Sequence, residues 1–90
     1  TQTNQFNAAC SGAGATEHVS SWGTFDIPTY IQYLFGGYPW QSSKLYQNQS
    51  AIYYVSNVRT ATLIVTGEND ARVVPDQSYM LERALSYIGV

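Results

Sequence analysis

Ninety residues suffice for one small domain and exclude a second, because a chain this short buries only roughly 60 to 65% of the surface its unfolded form exposes. Charged residues make up 11% of it, against about 25% in an ordinary soluble domain, while aromatics reach 14% with eight tyrosines, so the surface looks suited to being covered. The net charge is -2, and the four basic residues (Lys44, Arg59, Arg72, Arg83) are nowhere adjacent, which excludes nucleic acid and anionic membrane as partners.

Residues 6 to 13 alternate small and apolar groups before Gly14 and Ala15, a pattern that predicts a short buried strand running into a turn. Cys10, the only cysteine, falls in that strand and is read as a buried, inert thiol. With one cysteine and one histidine, no internal disulfide and no ordinary zinc site can be assembled. Between Trp22 and Trp40 the chain turns aromatic. Tyr30, Tyr33, Leu34 and Phe35 stand at helical spacing after Asp26 and Pro28, with Gly36 and Gly37 as the stop, and predict one helix of about two turns.

Residues 41 to 50 are polar without a clear period and read as connection, with Ser50 as the cap of a short helical turn over Ala51, Ile52, Val55 and Val58. Ala61 to Thr66 (ATLIVT) has the β-branched, uncharged character of a parallel strand buried on both faces. The polar loop Gly67 to Val74 follows, then Pro75 at a first helical position and Asp76 complementing the helix dipole. Leu81, Leu85 and Ile88, with Ala84 beside them, make an amphipathic helix stopped by Gly89. The apolar runs at 51–55 and 61–65 are too short to span a bilayer.

Strand, helical crossover and strand form the unit of a parallel sheet, so the fold class is α/β: two parallel strands with a C-terminal helix. Two strands leave both outer edges unpaired, and either further polypeptide or a second copy must complete the sheet. A strand ending in Gly-x-x-Asp before a helix puts Asp70 at the carboxyl rim, where open α/β folds keep reacting groups. A carboxylate there holds a histidine in the tautomer needed for proton transfer. The alternative is that Asp70 merely caps the loop or the helix.

TLIVTGENDARVVP (Thr62 to Pro75) with SYMLERAL (Ser78 to Leu85) resembles the strand, acid loop and helix of the prolyl oligopeptidase family of serine peptidases, especially its acylaminoacyl-peptidase and dipeptidyl-peptidase branches. TQTNQFNAA (Thr1 to Ala9) resembles the segment leaving that family's nucleophile helix. DIPTY (Asp26 to Tyr30), LFGGYPW (Leu34 to Trp40) and SAIYYVSNV (Ser50 to Val58) resemble its insertion between the two strands. The resemblance covers almost the whole chain and implies a partial α/β-hydrolase fold, with Asp70 as the acid of a Ser-Asp-His triad.

It further implies that Ala15 and Val73, with Trp22 nearby, line the pocket for the side chain before the scissile bond of a peptide or acyl-peptide substrate. The competing reading makes Val73 and Trp22 ordinary core. No cofactor is implied. The family's Gly-x-Ser-x-Gly precedes this region and its catalytic histidine follows it, and these 90 residues contain no such pentapeptide. The expectation is a single piece of a peptidase domain, inactive alone, lying inside a longer precursor. The alternative is a non-catalytic interaction module that self-associates as a homodimer to complete its sheet. His18, expected in the loop after the first strand, is a possible but disfavoured substitute for the missing base. Arg72 is expected to pair with Glu68 or Asp76 or to sit in solvent. Asn48-Gln49-Ser50 satisfies the glycosylation sequon, a tripeptide common by chance. With no apolar run long enough to span a bilayer, the chain is expected to be soluble, with the cytoplasm favoured.

Overall fold

The β-branched run at 61–65 pairs in parallel with the small-residue run before Gly14, in the register Ala8↔Ala61 through Gly12↔Val65. In the computed structural model, which describes all 90 residues, the order is β1 (Ala8–Gly12), α1 (His18–Thr24), α2 (Pro28–Phe35), α3 (Ser43–Asn48), a 3₁₀ helix (Ala51–Asn57), β2 (Ala61–Val65) and α4 (Asp76–Ile88). The two strands form the whole sheet, and the helices between them form the crossover. No helix is long and apolar enough to cross a membrane.

The α2 and α4 stops follow from backbone chemistry. Gly36 (φ 70°) and Gly89 (φ 82°) adopt the left-handed conformation that ends each helix, and each N–H returns to carbonyls of the last turn. Pro75 stands one place earlier than expected, as the residue flanking α4, and Asp76 occupies the first turn. Leu81 and Leu85 are buried four residues apart on the face of α4 that lies over β2 and the 3₁₀ helix. A second small core gathers among α1, α2 and α3. There Tyr46 is fully buried, stacks on Phe35 with centroids 4.4 Å apart, and donates its hydroxyl to the Gly37 carbonyl at 2.8 Å.

Several sequence expectations are corrected. The first strand is shorter than residues 6 to 13. Residues 41 to 50 contain α3, and His18 opens α1 instead of lying in a loop. The Ser50 side chain makes no capping bond to the 3₁₀ helix. It is buried, accepts the His18 N–H at 2.9 Å and donates to the Tyr46 carbonyl at 2.6 Å, joining α1 to α3. Neither strand is covered on both faces within these residues. Helix α4 shields the side bearing Thr62 and Ile64, while Leu63 and Val65 are 64% and 51% exposed. Cys10, opposite Leu63, is exposed for the same reason and is not a buried thiol.

Candidate functional site

Both strands run out at the same rim. After Gly12 the chain turns through Ala13, which takes a left-handed φ of 46° and donates its N–H to the Val65 carbonyl at 2.8 Å. Gly14 follows, where a Cβ would meet the Ser11 hydroxyl at 2.8 Å and force it to move. The small residues at this exit therefore let the loop turn tightly over the end of β1 and bring Ala15 to the rim.

The loop after β2 closes on itself through Asp70. Its N–H donates to the Gly67 carbonyl at 3.2 Å, and its Oδ1 accepts the N–H groups of Arg72 (2.9 Å) and Val73 (3.0 Å). Its Oδ2 accepts no hydrogen bond from the chain, and the residue is only partly buried. Loop capping and a catalytic role thus draw on different oxygens of one carboxylate. Capping uses Oδ1 and leaves Oδ2 free for a donor outside the loop.

Arg72 pairs with neither Glu68 nor Asp76. Its Nε and Nη2 donate to Oδ1 and Oδ2 of Asp26 at 3.0 and 3.1 Å, and its guanidinium lies 5.9 Å from the centroid of Phe25. The hydrogen bond from Arg72 holds the Asp26 carboxyl below its usual range, and Asp26 in turn raises Arg72, with Asp70 adding to the effect.

Beside this pair opens a pocket of 390 Å³ with an apolar wall that includes Ala15, Phe25, Ile31, Leu34, Phe35 and Val73. Ala15 and Val73 therefore meet at one pocket. Trp22 does not line it, and packs edge-on against Trp40 with centroids 5.8 Å apart. That partner lies eighteen positions along the chain in a segment whose course the sequence does not reveal. A polar pocket of 360 Å³ between the N-terminal residues and Arg59 lies beside the beginnings of the strands and is remote from this rim.

His18 reaches the pocket wall but not the acid. Its Nε2 bonds to the Gln49 carbonyl at 3.0 Å, its ring lies 5.0 Å from that of Phe35, and its Nδ1 is buried without a partner. In the neutral ring, an Nε2–H that donates to a carbonyl leaves no proton for a carboxylate at Nδ1. The imidazole is thus held in a role that does not involve Asp70.

Two residues of the rim carry no signal in the sequence. Asp26 grips the acid loop from 46 positions away. Gln77, 1% exposed, accepts at its side-chain oxygen the N–H groups of Thr16 and Glu17, both at 2.9 Å, and so fastens the start of α4 to the exit of β1.

The model of the prolyl oligopeptidase family matches residues 1–90. The chain is similar to the acylaminoacyl peptidase of Pyrococcus horikoshii, solved in an orthorhombic crystal form, at 27% sequence identity and a TM-score of 0.91. The similarity covers 98% of this chain and 14% of that one, so the present chain spans a small part of the length of that relative. The curated proteins give no match. The two parallel strands, the helical crossover and α4 are part of an α/β-hydrolase fold.

Proposed function

The chain belongs to the prolyl oligopeptidase family, and on that premise we propose that it supplies the acid, Asp70, and one wall of the substrate pocket to a serine peptidase or acyl-aminoacyl hydrolase. The nucleophilic serine and the catalytic imidazole come from polypeptide outside these residues, and the chain alone is inactive. One observation carries the reading: Asp70 has Oδ1 occupied by two backbone N–H groups and Oδ2 unoccupied, in the loop that leaves the carboxyl end of a parallel strand.

A carboxylate fixed in this way does not rotate when an imidazole approaches. Oδ2 accepts the N–H of the ring and holds it in the tautomer whose other nitrogen takes the serine proton. As the serine oxygen bonds to the acyl carbon, the imidazolium forms beside Asp70 and is stabilised by it. The proton then passes to the leaving amine, and water repeats the sequence on the acyl-enzyme. Ala15 and Val73 receive the side chain before the scissile bond, and the apolar wall around them favours an apolar residue.

Asp70→Asn in the intact enzyme tests the reading. The amide oxygen still accepts both backbone N–H groups, so the loop persists, while turnover falls by roughly four orders of magnitude. Unchanged turnover would remove Asp70 from the mechanism. A second reading, association of two copies through the open sheet, has its own support in the exposed Cys10, Leu63 and Val65 on one face.

A further inference from the structure

Between Gly67 and Val74 the acid loop makes hydrogen bonds to itself and to the start of α4, and leaves that neighbourhood by one route, the guanidinium of Arg72 on Asp26. The same Arg72 donates its main-chain N–H to Oδ1 of Asp70. The placement of residue 72, and of Val73 next to it, whose N–H shares Oδ1, therefore sets the direction of the Asp70 carboxylate, and the partner that places residue 72 sits in the turn between α1 and α2. From this geometry we infer that Asp26 is a positioning residue for the acid. It acts through Arg72 and touches neither substrate nor Asp70. The inference rests on the reading of Asp70 as the triad acid.

The pairing suits that role. A two-pronged guanidinium–carboxylate contact fixes orientation as well as distance, which a single-point contact from lysine does not. The flanking residues extend the effect to the pocket: Phe25, beside Asp26, and Val73, beside Arg72, both stand in its wall. A shift of the pair displaces the acid and the wall together. Both side chains are substantially exposed, at 58% for Arg72 and 39% for Asp26. Ion pairs in such a setting contribute little to stability and are weakened by salt. Loss of the pair is thus expected to show in turnover and not in melting.

The test uses the full-length enzyme with Asp26→Asn, Arg72→Gln and the double variant, beside Asp70→Asn. Asp26→Asn is expected to lower kcat about tenfold, within the roughly hundredfold that a misplacement of about 1 Å produces, with KM and melting temperature unchanged. The double variant should lose no more than the worse single one. Added salt should lower kcat in the parent enzyme and leave Asp26→Asn indifferent. A kcat for Asp26→Asn equal to that of the parent, or losses that multiply in the double variant, would overturn the inference. If Asp70→Asn itself keeps full turnover, the underlying reading fails instead.

Discussion

The side-chain amide of Gln77 closes the exit of β1 onto the start of α4: its Oε1 accepts the Thr16 N–H at 2.9 Å, and its own main-chain carbonyl accepts the Thr16 hydroxyl at 2.8 Å. Its Nε2 also donates to the Ser20 hydroxyl at 2.9 Å. One side chain thereby ties the start of α4, just after the acid loop, to the exit of β1 and the first turn of α1.

Replacing Gln77 with Leu keeps the volume of the side chain and leaves the Thr16 and Glu17 N–H groups without their acceptor. Each unsatisfied buried group costs about 1 to 3 kcal/mol, so Gln77→Leu should lower the unfolding free energy by about 2 to 6 kcal/mol. Gln77→Glu retains the acceptor and loses the donation to Ser20, so its loss should be the smaller one. Urea titration followed by tyrosine and tryptophan fluorescence measures both, and equal stability of Gln77→Leu and the parent would contradict the strut.

Glu17 precedes α1 and accepts the Val19 and Ser20 N–H groups at 2.9 and 2.7 Å. Partial burial works to raise its pKa, but the hydrogen bonds from Ser20 and Val19, with His18 adding attraction, together bring it below the ordinary 4.5. A carboxyl that is more acidic when folded stabilises the fold above its unfolded value, 4.5, and that contribution disappears as pH falls through the lower folded value. Glu17→Gln should therefore flatten the stability profile below pH 4.5 and leave the parent more stable at neutral pH. Chemical denaturation at a series of pH values reads the difference, and parallel profiles would refute it.

Leu63 and Val65, with Cys10 opposite Leu63, form an apolar strip on the bare side of the sheet. Such a strip favours association when nothing else covers it. The 90-residue chain in isolation is expected to self-associate in light scattering, and Leu63→Glu should shift it toward monomer. Because Leu63 is largely exposed in the single chain, the substitution should do little to the fold itself. A parent chain that stays monomeric across the accessible concentration range would defeat the idea.

Legibility in the sequence tracked the length and purity of each pattern. ATLIV is an unbroken, largely β-branched run, the Leu81–Leu85 stripe has a clear period, and Gly36 and Gly89 mark real stops. Helix α1 (HVSSWGT) shows no such signal. It mixes serine, a β-branched valine and Gly23, and its cap is a glutamate, a side chain outside the usual set of caps. Helix α3 has six residues and one buried side chain, Tyr46, too little for a period to emerge. At the rim, Asp70 and Val73 lie inside the quoted stretch Thr62 to Pro75, and Ala15 follows the small-residue run of β1. Asp26 stands in the quoted DIPTY stretch, but its pairing with Arg72 is set by the packing of the crossover and has no local pattern. Trp22 stood close to the rim in sequence, and its indole was claimed by Trp40.

The pocket wall offers a separate handle on specificity. Val73 holds two positions at once: its N–H fixes Asp70 Oδ1, and its side chain faces the 390 Å³ pocket beside Phe25 and Leu34. Val73→Ala keeps the N–H and removes two methyl groups, so the acid should be undisturbed while contact with a bulky apolar side chain is lost. Apolar contacts of this size are worth about 1 to 3 kcal/mol per methylene at the level of kcat/KM. The intact enzyme carrying Val73→Ala should therefore lose about tenfold or more in kcat/KM on substrates with a leucine or phenylalanine before the scissile bond. It should lose almost nothing on those with glycine there, since glycine places no atoms against the wall. Kinetics on a matched set of chromogenic amides separates the two cases. An equal loss on both substrates would show that Val73 serves the acid loop alone and that the pocket for the side chain lies elsewhere.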